Sequence, residues 1–285
     1  MKIKMNRRAL SPIVAVVLMF ALITAAIGIS LVYMMPNLTK FKDNSYNNSN
    51  NLYFTALDST IQDLIKGSAL SSNQFLFVQE EGTFQIDTSW NFVFLLEDIY
   101  GVQTSLLFRD NISRITHRST AIADYAVGEH RYIVGPQDQD YLFLNGSNIL
   151  YNDIAVLNCS RAVYESGFLE LALYYRYSLI TSYSTVPAEE TYSLDIIHIT
   201  FNLEKSTLDS DSQKYVNVEL TYEGTEKINL GTIEYYYDLQ GEVILLNQYN
   251  YRLHEYPIYF PANPSYISHL IKANLINVIV SVSLS

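Results

Sequence analysis

A run of 23 uncharged residues close to the start of the chain, residues 13–35, constrains this protein more than any other feature. As a helix rising about 1.5 Å per residue it measures about 35 Å, enough to cross a hydrocarbon core of about 30 Å. Ser11 suits the N-cap, and Pro12 suits the first helical position, where its missing N–H is not needed. Lys2, Lys4, Arg7 and Arg8 precede the run, whereas only Lys40 and Lys42 closely follow it. The positive-inside bias therefore predicts residues 1–9 in the cytoplasm and the long C-terminal part outside. Pro36 and the Asn-rich residues after it are expected to weaken the helix.

Arg8-Ala9-Leu10-Ser11-Pro12-Ile13, leading into an Ala/Val/Ile/Leu helix, resembles the class III signal peptide of archaeal type IV pilin-like proteins. In that family a prepilin peptidase cuts after a small residue that follows a basic one. The resemblance implies that Arg8 is the basic residue, Ala9 the residue before the cut and Leu10 the new N-terminus. Ser11 and Pro12 match the Ser-Pro pair common in these pilins. Ala15 stands where many archaeal pilins carry Gly, and Val14 where bacterial pilins carry Glu. The match covers residues 7–35 and says little about the rest.

The resemblance implies a structural subunit of an archaeal extracellular type IV pilus-like filament, with surface adhesion as an added role. Its partners would be further copies of itself, the prepilin peptidase, the pilus assembly machinery and, before assembly, the membrane. Ala21 and Ala25, then Ala26 and Ser30, are four residues apart, with Gly28 close by. Such small-xxx-small pairs let helices approach closely and are expected to line subunit contacts in a filament core. Two other readings fit the same segment: a signal anchor that is never cut, or ordinary signal-peptidase cleavage after Gly28. The alternative function is a membrane-anchored extracellular binding or cell-envelope protein that does not polymerise.

Net charge is −11, and −15 without the four cations of residues 1–9. Nucleic-acid binding needs a basic footprint, so it is not expected. Apolar residues make up 49% of the chain, which disfavours disorder. The single Cys159 rules out an internal disulfide framework and any cysteine-based zinc site, and reads as a small apolar strand residue. Nucleophile-elbow, zinc-protease, dinucleotide and P-loop patterns are missing from the sequence. No cofactor or metal is expected; Asp209-Ser-Asp211 lacks the Gly and closing Glu of a calcium loop and reads as a hairpin tip, as do Asp138 and Asp140. His198, in a strand-like run, reads as structural.

Residues 1–9 thus form a leader, 10–36 the apolar helix, 37–67 a polar connector with an amphipathic helix, and 68–285 an extracellular β-rich head. Within 37–51 the Asn/Ser clusters mark loop or frayed helix. From 52 to 66 apolar residues recur at 53, 54, 57, 61, 64 and 65, a helical stripe closed by Gly67. This segment reads as the lower half of a single long helix, provided that 37–51 is helical.

Beyond Gly67 the period changes to two. Short runs occupy 74–78, 83–87, 91–97, 104–109, 141–144 and 149–157. Cleaner alternation follows in 168–177, 215–222 and 275–284, where Ile276, Val278, Val280, Val282 and Leu284 oppose Asn277, Ser281 and Ser283. Alternation with one wet face predicts antiparallel sheets and an α+β, mostly β, sandwich-like head. Glu223-Gly224 and Gln240-Gly241 are expected as turns.

Tyrosine is overused, with 24 copies against one Trp. Adjacent tyrosines at 174–175 and 235–237 alternate faces, so they are not all expected in the core. Exposed ones would form a sticky patch for sugars, surfaces or neighbouring subunits; the plainer reading is strand-surface packing. Five glycosylation sequons begin at Asn37, Asn47, Asn111, Asn145 and Asn158. Asn37, Asn47 and Asn145 lie in loop-like sequence and are the favoured sites, whereas Asn158 ends an apolar run.

Overall fold

In the computed structural model the described residues are 12–78, 82–98, 104–122, 125–135, 143–145, 155–163, 167–206, 215–246, 252–266 and 268–284. Arg8, Ala9, Leu10, Asp138, Asp140, Asp209 and Asp211 lie outside them. One helix, α1 (Pro12–Ile65), is followed by β1 (Ser72–Val78), β2 (Thr83–Asp98), β3 (Thr104–Ser119), β4 (His130–Val134), β5 (Phe143–Asn145), β6 (Ala155–Ser160) and β7 (Leu169–Tyr175). Then come β8 (Tyr177–Val186), β9 (Glu189–Ser206), β10 (Tyr215–Tyr235), β11 (Leu239–Leu246), β12 (Arg252–Phe260) and β13 (Ser268–Leu284). The chain is α+β and mostly β: a long apolar helix followed by a β-rich head.

Residues 37–51 are helical, so α1 is continuous over 54 residues, with Pro36 inside it. The weakening expected at Pro36 and the Asn-rich run does not interrupt the helix. In the polar stretch the competing side chains turn back onto the helix instead of opening it. Asn37 Nδ2 donates to the Tyr33 carbonyl at 3.1 Å, Thr39 Oγ1 to Met35 at 3.0 Å and Ser49 Oγ to Ser45 at 3.0 Å. Docking of Tyr46, Asn47 and Asn50 on the head holds the same turns from outside.

One sheet has the order β1-β10-β13-β9-β8-β5 and the other β12-β11-β2-β3-β7-β6-β4. The second is wholly antiparallel among its described pairs, but the first is mixed: β9 and β13 run parallel along their length, as do β5 and β8. Alternation reports a wet face, which is commonest in antiparallel sheets but is also met by a mixed sheet, so the sequence pointed to antiparallel pairing alone. The long parallel pair needs a crossover, and β10, β11 and β12 supply it.

Two hydrophobic cores share these strands. The lower one packs Phe54, Leu57 and Ile61 of α1 against Phe77, Tyr175, Val218 and Val280; the upper one contains Phe94, Tyr174, Leu194, Phe260 and Ala273. Along β13 the buried apolar positions are Ile271, Ala273 and Leu275, then Val278, Val280, Val282 and Leu284. β9 makes the same change of parity between Ile196 and Ile199, and its register with β13 is unbroken there. Since neighbouring side chains point to opposite faces, the two cores lie on opposite faces of the pleat.

β7 obeys the same logic, with Leu171, Leu173 and Tyr175 in the lower core and Ala172 and Tyr174 in the upper. Tyr174 and Tyr175 are therefore both buried, contrary to the expectation that adjacent tyrosines divide between core and surface. In the other cluster they do divide: Tyr235 is buried while Tyr236 and Tyr237 are exposed. Neither expected turn forms. Gly224 sits in β10 at a bulge with φ of +129°, and Gly241 lies within β11 between Leu96 and Ile258.

Candidate functional site

The surface that demands a partner is the first half of α1. Every residue from 14 to 42 is exposed, including Leu22 at 70%, Val32 at 70% and Phe41 at 75%. An 18-residue window of this helix is apolar enough to cross a membrane, and none of that window is buried within the molecule. A contiguous apolar surface of this size marks an interaction face. By length and composition it is suited to a single membrane span or signal anchor.

Ala21, Ala25, Ala26, Gly28 and Ser30 all lie on this exposed helix. A Cβ placed on Gly28 would meet nothing within 4 Å, so no packing inside the chain requires glycine there. Where the helix reaches the head, a groove of about 430 Å³ is lined by Phe41, Lys42, Ser45, Tyr46, Ser49 and Tyr53, among others.

The second half of α1 is fixed to the head by an apolar stripe and by polar contacts along its length. Phe54, Leu57, Ile61, Leu64 and Ile65 are buried as the helical spacing predicts, and Tyr53 packs edge-on against Phe75. Asp58 and Gln62, one turn apart, are buried with them. Tyr175 Oη donates to Asp58 Oδ1 at 2.7 Å, and Gln62 Nε2 donates to both carboxylate oxygens at 2.9 and 3.0 Å. Burial pushes the Asp58 carboxyl up, and the bonds from Tyr175 and Gln62 pull it back only in part. Sequence reading took the apolar stripe and missed this pair; its visible signal was an acid and an amide at i, i+4 beside the stripe.

At the lower end of the same interface Tyr46 Oη lies 3.3 Å from His117 Nε2, and Asn47 Nδ2 donates to the Ala121 carbonyl at 3.0 Å. Burial lowers the His117 pKa from 6.5 to about 4, so the ring is neutral. Across β2, β3 and β7, Arg114 bridges Asp87 and Glu170, and Arg118 bonds Glu170 at 2.9 Å. These cross-strand pairs brace the sheet beside α1.

The sequons fall in different settings. Asn37 is exposed on α1, not in a loop, with its amide turned onto Tyr33. Asn47, favoured as an exposed loop site, is helical and 7% exposed, with its amide committed to the head. Asn111 is exposed on β3; Asn145 belongs to β5, with its side chain outside the described set; Asn158 is buried in β6.

Cys159 is a buried strand residue whose thiol is pushed up to about 11 by burial. His198 is fully buried, stacks on Tyr177 with ring centroids 3.9 Å apart, and holds Nδ1 3.2 Å from Thr200 Oγ1. Among the described residues no group of three His, Cys, Asp or Glu side chains could hold a metal ion. Comparison with protein-family models, curated proteins and solved structures returns no match.

Proposed function

We propose that the chain is a pilin-like structural subunit of an archaeal type IV pilus-like filament, cut between Ala9 and Leu10 before assembly. The observation that carries this reading is the division of labour along α1. One continuous helix buries its C-terminal stripe in a β-rich head and leaves its entire N-terminal apolar half uncovered. That half is long enough to sit in a bilayer and carries small residues at helix-packing spacing, so one segment can serve as membrane span first and filament core afterwards. The reading assigns the leader to residues 1–9 and places the head outside the cell.

N-terminal sequencing of protein extracted from the envelope, together with electron microscopy of surface appendages from cells making a tagged copy, tests the proposal. A mature chain starting at Leu10 and tag-decorated filaments are the expected results. A chain still starting at Met1 with no decorated filament overturns it in favour of an uncut anchor.

A further inference from the structure

Contacts with α1 show which end of the head faces its exposed half. Tyr175, the last residue of β7, bonds Asp58, whereas Leu169 and Leu171 at the start of β7 share a small cavity with Asn47, Asn50 and Asn51. Going back along β7 therefore leads toward the apolar half of the helix. Cys159, next to the end of β6, lines the same cavity, and the Ala121 carbonyl just past β3 accepts from Asn47. The turns after β3 and β6, and Phe168 before β7, thus lie at the near end of the head.

These turns present apolar side chains: Val127 is 50% exposed, Val163 62% and Phe168 47%. The two valine turns are laced together. The Gly128 N–H donates to the Arg161 carbonyl at 2.7 Å, and the Arg161 N–H donates to the Glu129 carbonyl at 3.0 Å. A Cβ placed on Gly128 would lie 3.5 Å from a methyl of Val163, so Val127 and Val163 belong to one tip. The polar groups beside them are held. Arg161 Nη1 donates to the Tyr125 carbonyl at 2.7 Å, and Arg131 bonds Glu129 at 2.6 Å while lying 4.0 Å from the centre of the Tyr125 ring.

The tip reaches the level at which a bilayer would end. From Met35 to Asn47 the helix climbs about 18 Å at about 1.5 Å per residue. Val163 stands four residues beyond Cys159, a reach back of up to about 13 Å at about 3.3 Å per residue. A headgroup layer occupies about 5–7 Å beyond the hydrocarbon, so the valines arrive at its outer part. Lys40, Lys42, Arg131 and Arg161 outnumber Asp43 and Glu129 here, although the chain as a whole has a net charge of −11. Apolar tips among cations have the composition of an interfacial anchor. Two copies meeting through this end would bring like charges together, which favours lipid as the occupant. We propose that the Val127–Val163 tip is a second membrane contact, inserted among lipid headgroups and holding the head down on the bilayer that α1 spans. It rests on the reading of the first half of α1 as a membrane span.

The test places a fluorophore on single introduced cysteines of the full chain, reconstituted in vesicles of phosphatidylcholine and phosphatidylglycerol in equal parts. The positions are Leu22→Cys in the span, Val163→Cys at the tip and Tyr236→Cys, where β10 has run on past the end of the docked helix. Cys159 is buried, and the unmodified chain serves as the labelling blank. A nitroxide on the lipid headgroup should quench the label at 163 and not the one at 236, while a nitroxide deep in the acyl chain quenches the label at 22. Adding Val127→Ser to the Val163→Cys chain should lower the ratio of docked to free heads about threefold, since one valine's contact with lipid is lost. Near-ultraviolet circular dichroism establishes that the variants remain folded. Equal quenching at 163 and 236, with position 22 quenched, overturns the proposal and leaves the span standing; so does undiminished quenching at 163 in the folded Val127→Ser chain. No quenching at 22 overturns the span reading and the proposal with it. Shielding of 163 that rises with the protein-to-lipid ratio and ignores the headgroup nitroxide assigns the tip to a second copy and overturns the proposal.

Discussion

The two halves of α1 share one backbone and differ in everything else. From 14 to 42 the helix is exposed, and as far as Met35 it is apolar around its circumference; from 46 to 65 it is amphipathic, with one face sealed against the head. A helix that is apolar all round finds no reward in water and must be covered by lipid or by other chains. A helix with a single buried stripe is complete within its own molecule. The contrast teaches that the head and the second half form one folding unit, from which the first half projects and depends on its surroundings.

That independence can be broken most forcefully in the exposed half. Placing two carboxylates near its centre, Leu22→Asp with Ala25→Asp, costs about 5–7 kcal/mol of membrane insertion at about 2.5–3.5 kcal/mol each. The double variant should leave the membrane pellet after carbonate extraction, while its head keeps the wild-type melting curve. Retention in the pellet at the wild-type level would remove the exposed half as the membrane segment. The mirror experiment is Phe54→Ala, at a fully buried position among Phe77 and Phe84. A loss of about 3–5 kcal/mol in the head's thermal unfolding is expected, with membrane partition unchanged. If Phe54→Ala leaves the melt where it was, the second half is a spacer and not part of the core.

The sequence displayed this division more clearly than it displayed the head's topology. The 23-residue run and the stripe at 54, 57, 61, 64 and 65 are local patterns, and local patterns survive in sequence order. Between them the Asn/Ser clusters do not decide between loop and helix, because Asn and Ser are scored as breakers, whereas Asn37, Thr39 and Ser49 satisfy themselves on the preceding turn and Tyr46 and Asn47 are held by distant residues of β3 and beyond. Alternation located β1, β2, β7 and parts of β3, β9, β10 and β13, but not β4, β8, β11 or β12, and the parallel pairing of β9 with β13 was not legible because it depends on where the chain returns. Alternation grouped Ile276 with Val278, Val280, Val282 and Leu284, whereas the structure buries Leu275 in the upper core and Val278 in the lower, a change of parity that a single buried face does not predict. Tyr259 was visible only as surplus tyrosine, since its hydrogen-bond partner Asp238 lies 21 residues earlier and is brought close by the pairing of β11 with β12.

A finer cut separates the polar from the apolar share of the helix–head contact. Tyr175→Phe removes the donor to Asp58 without changing the ring that packs in the lower core. A buried carboxylate that loses one hydrogen bond should cost about 1–3 kcal/mol, less than the cavity left at Phe54. Chemical denaturation of the full chain in detergent measures the difference. Equal destabilisation by Tyr175→Phe and Phe54→Ala would mean that the hydrogen bond, and not the stripe, sets the strength of the joint.

The smallest effect is a dependence on pH that arises where the two halves of α1 meet. His117 is closed over by Tyr46 from the helix and by Phe77, whose ring centroid is 5.2 Å from its own. Its pKa falls from 6.5 to about 4 because burial disfavours the charged ring. As pH falls below 6.5 the unfolded chain takes up a proton that the folded chain refuses until about pH 4, so stability declines through that window. Between pH 7 and pH 6 the loss is about 0.7 kcal/mol. Asp58 has the opposite sign: its carboxyl is raised above 3.8 by burial, so the folded chain holds the proton more tightly and gains relative stability as pH falls. Comparing the change in melting temperature from pH 7 to pH 6 in the wild type and in His117→Gln isolates the histidine from the aspartate, because Asp58 is present in both. The glutamine variant should show the shallower acid decline, whatever its absolute stability. An identical decline in the two proteins would mean that water reaches His117 at the seam, and that the head is less tightly closed around the lower end of the docked helix than the Tyr46 contact implies.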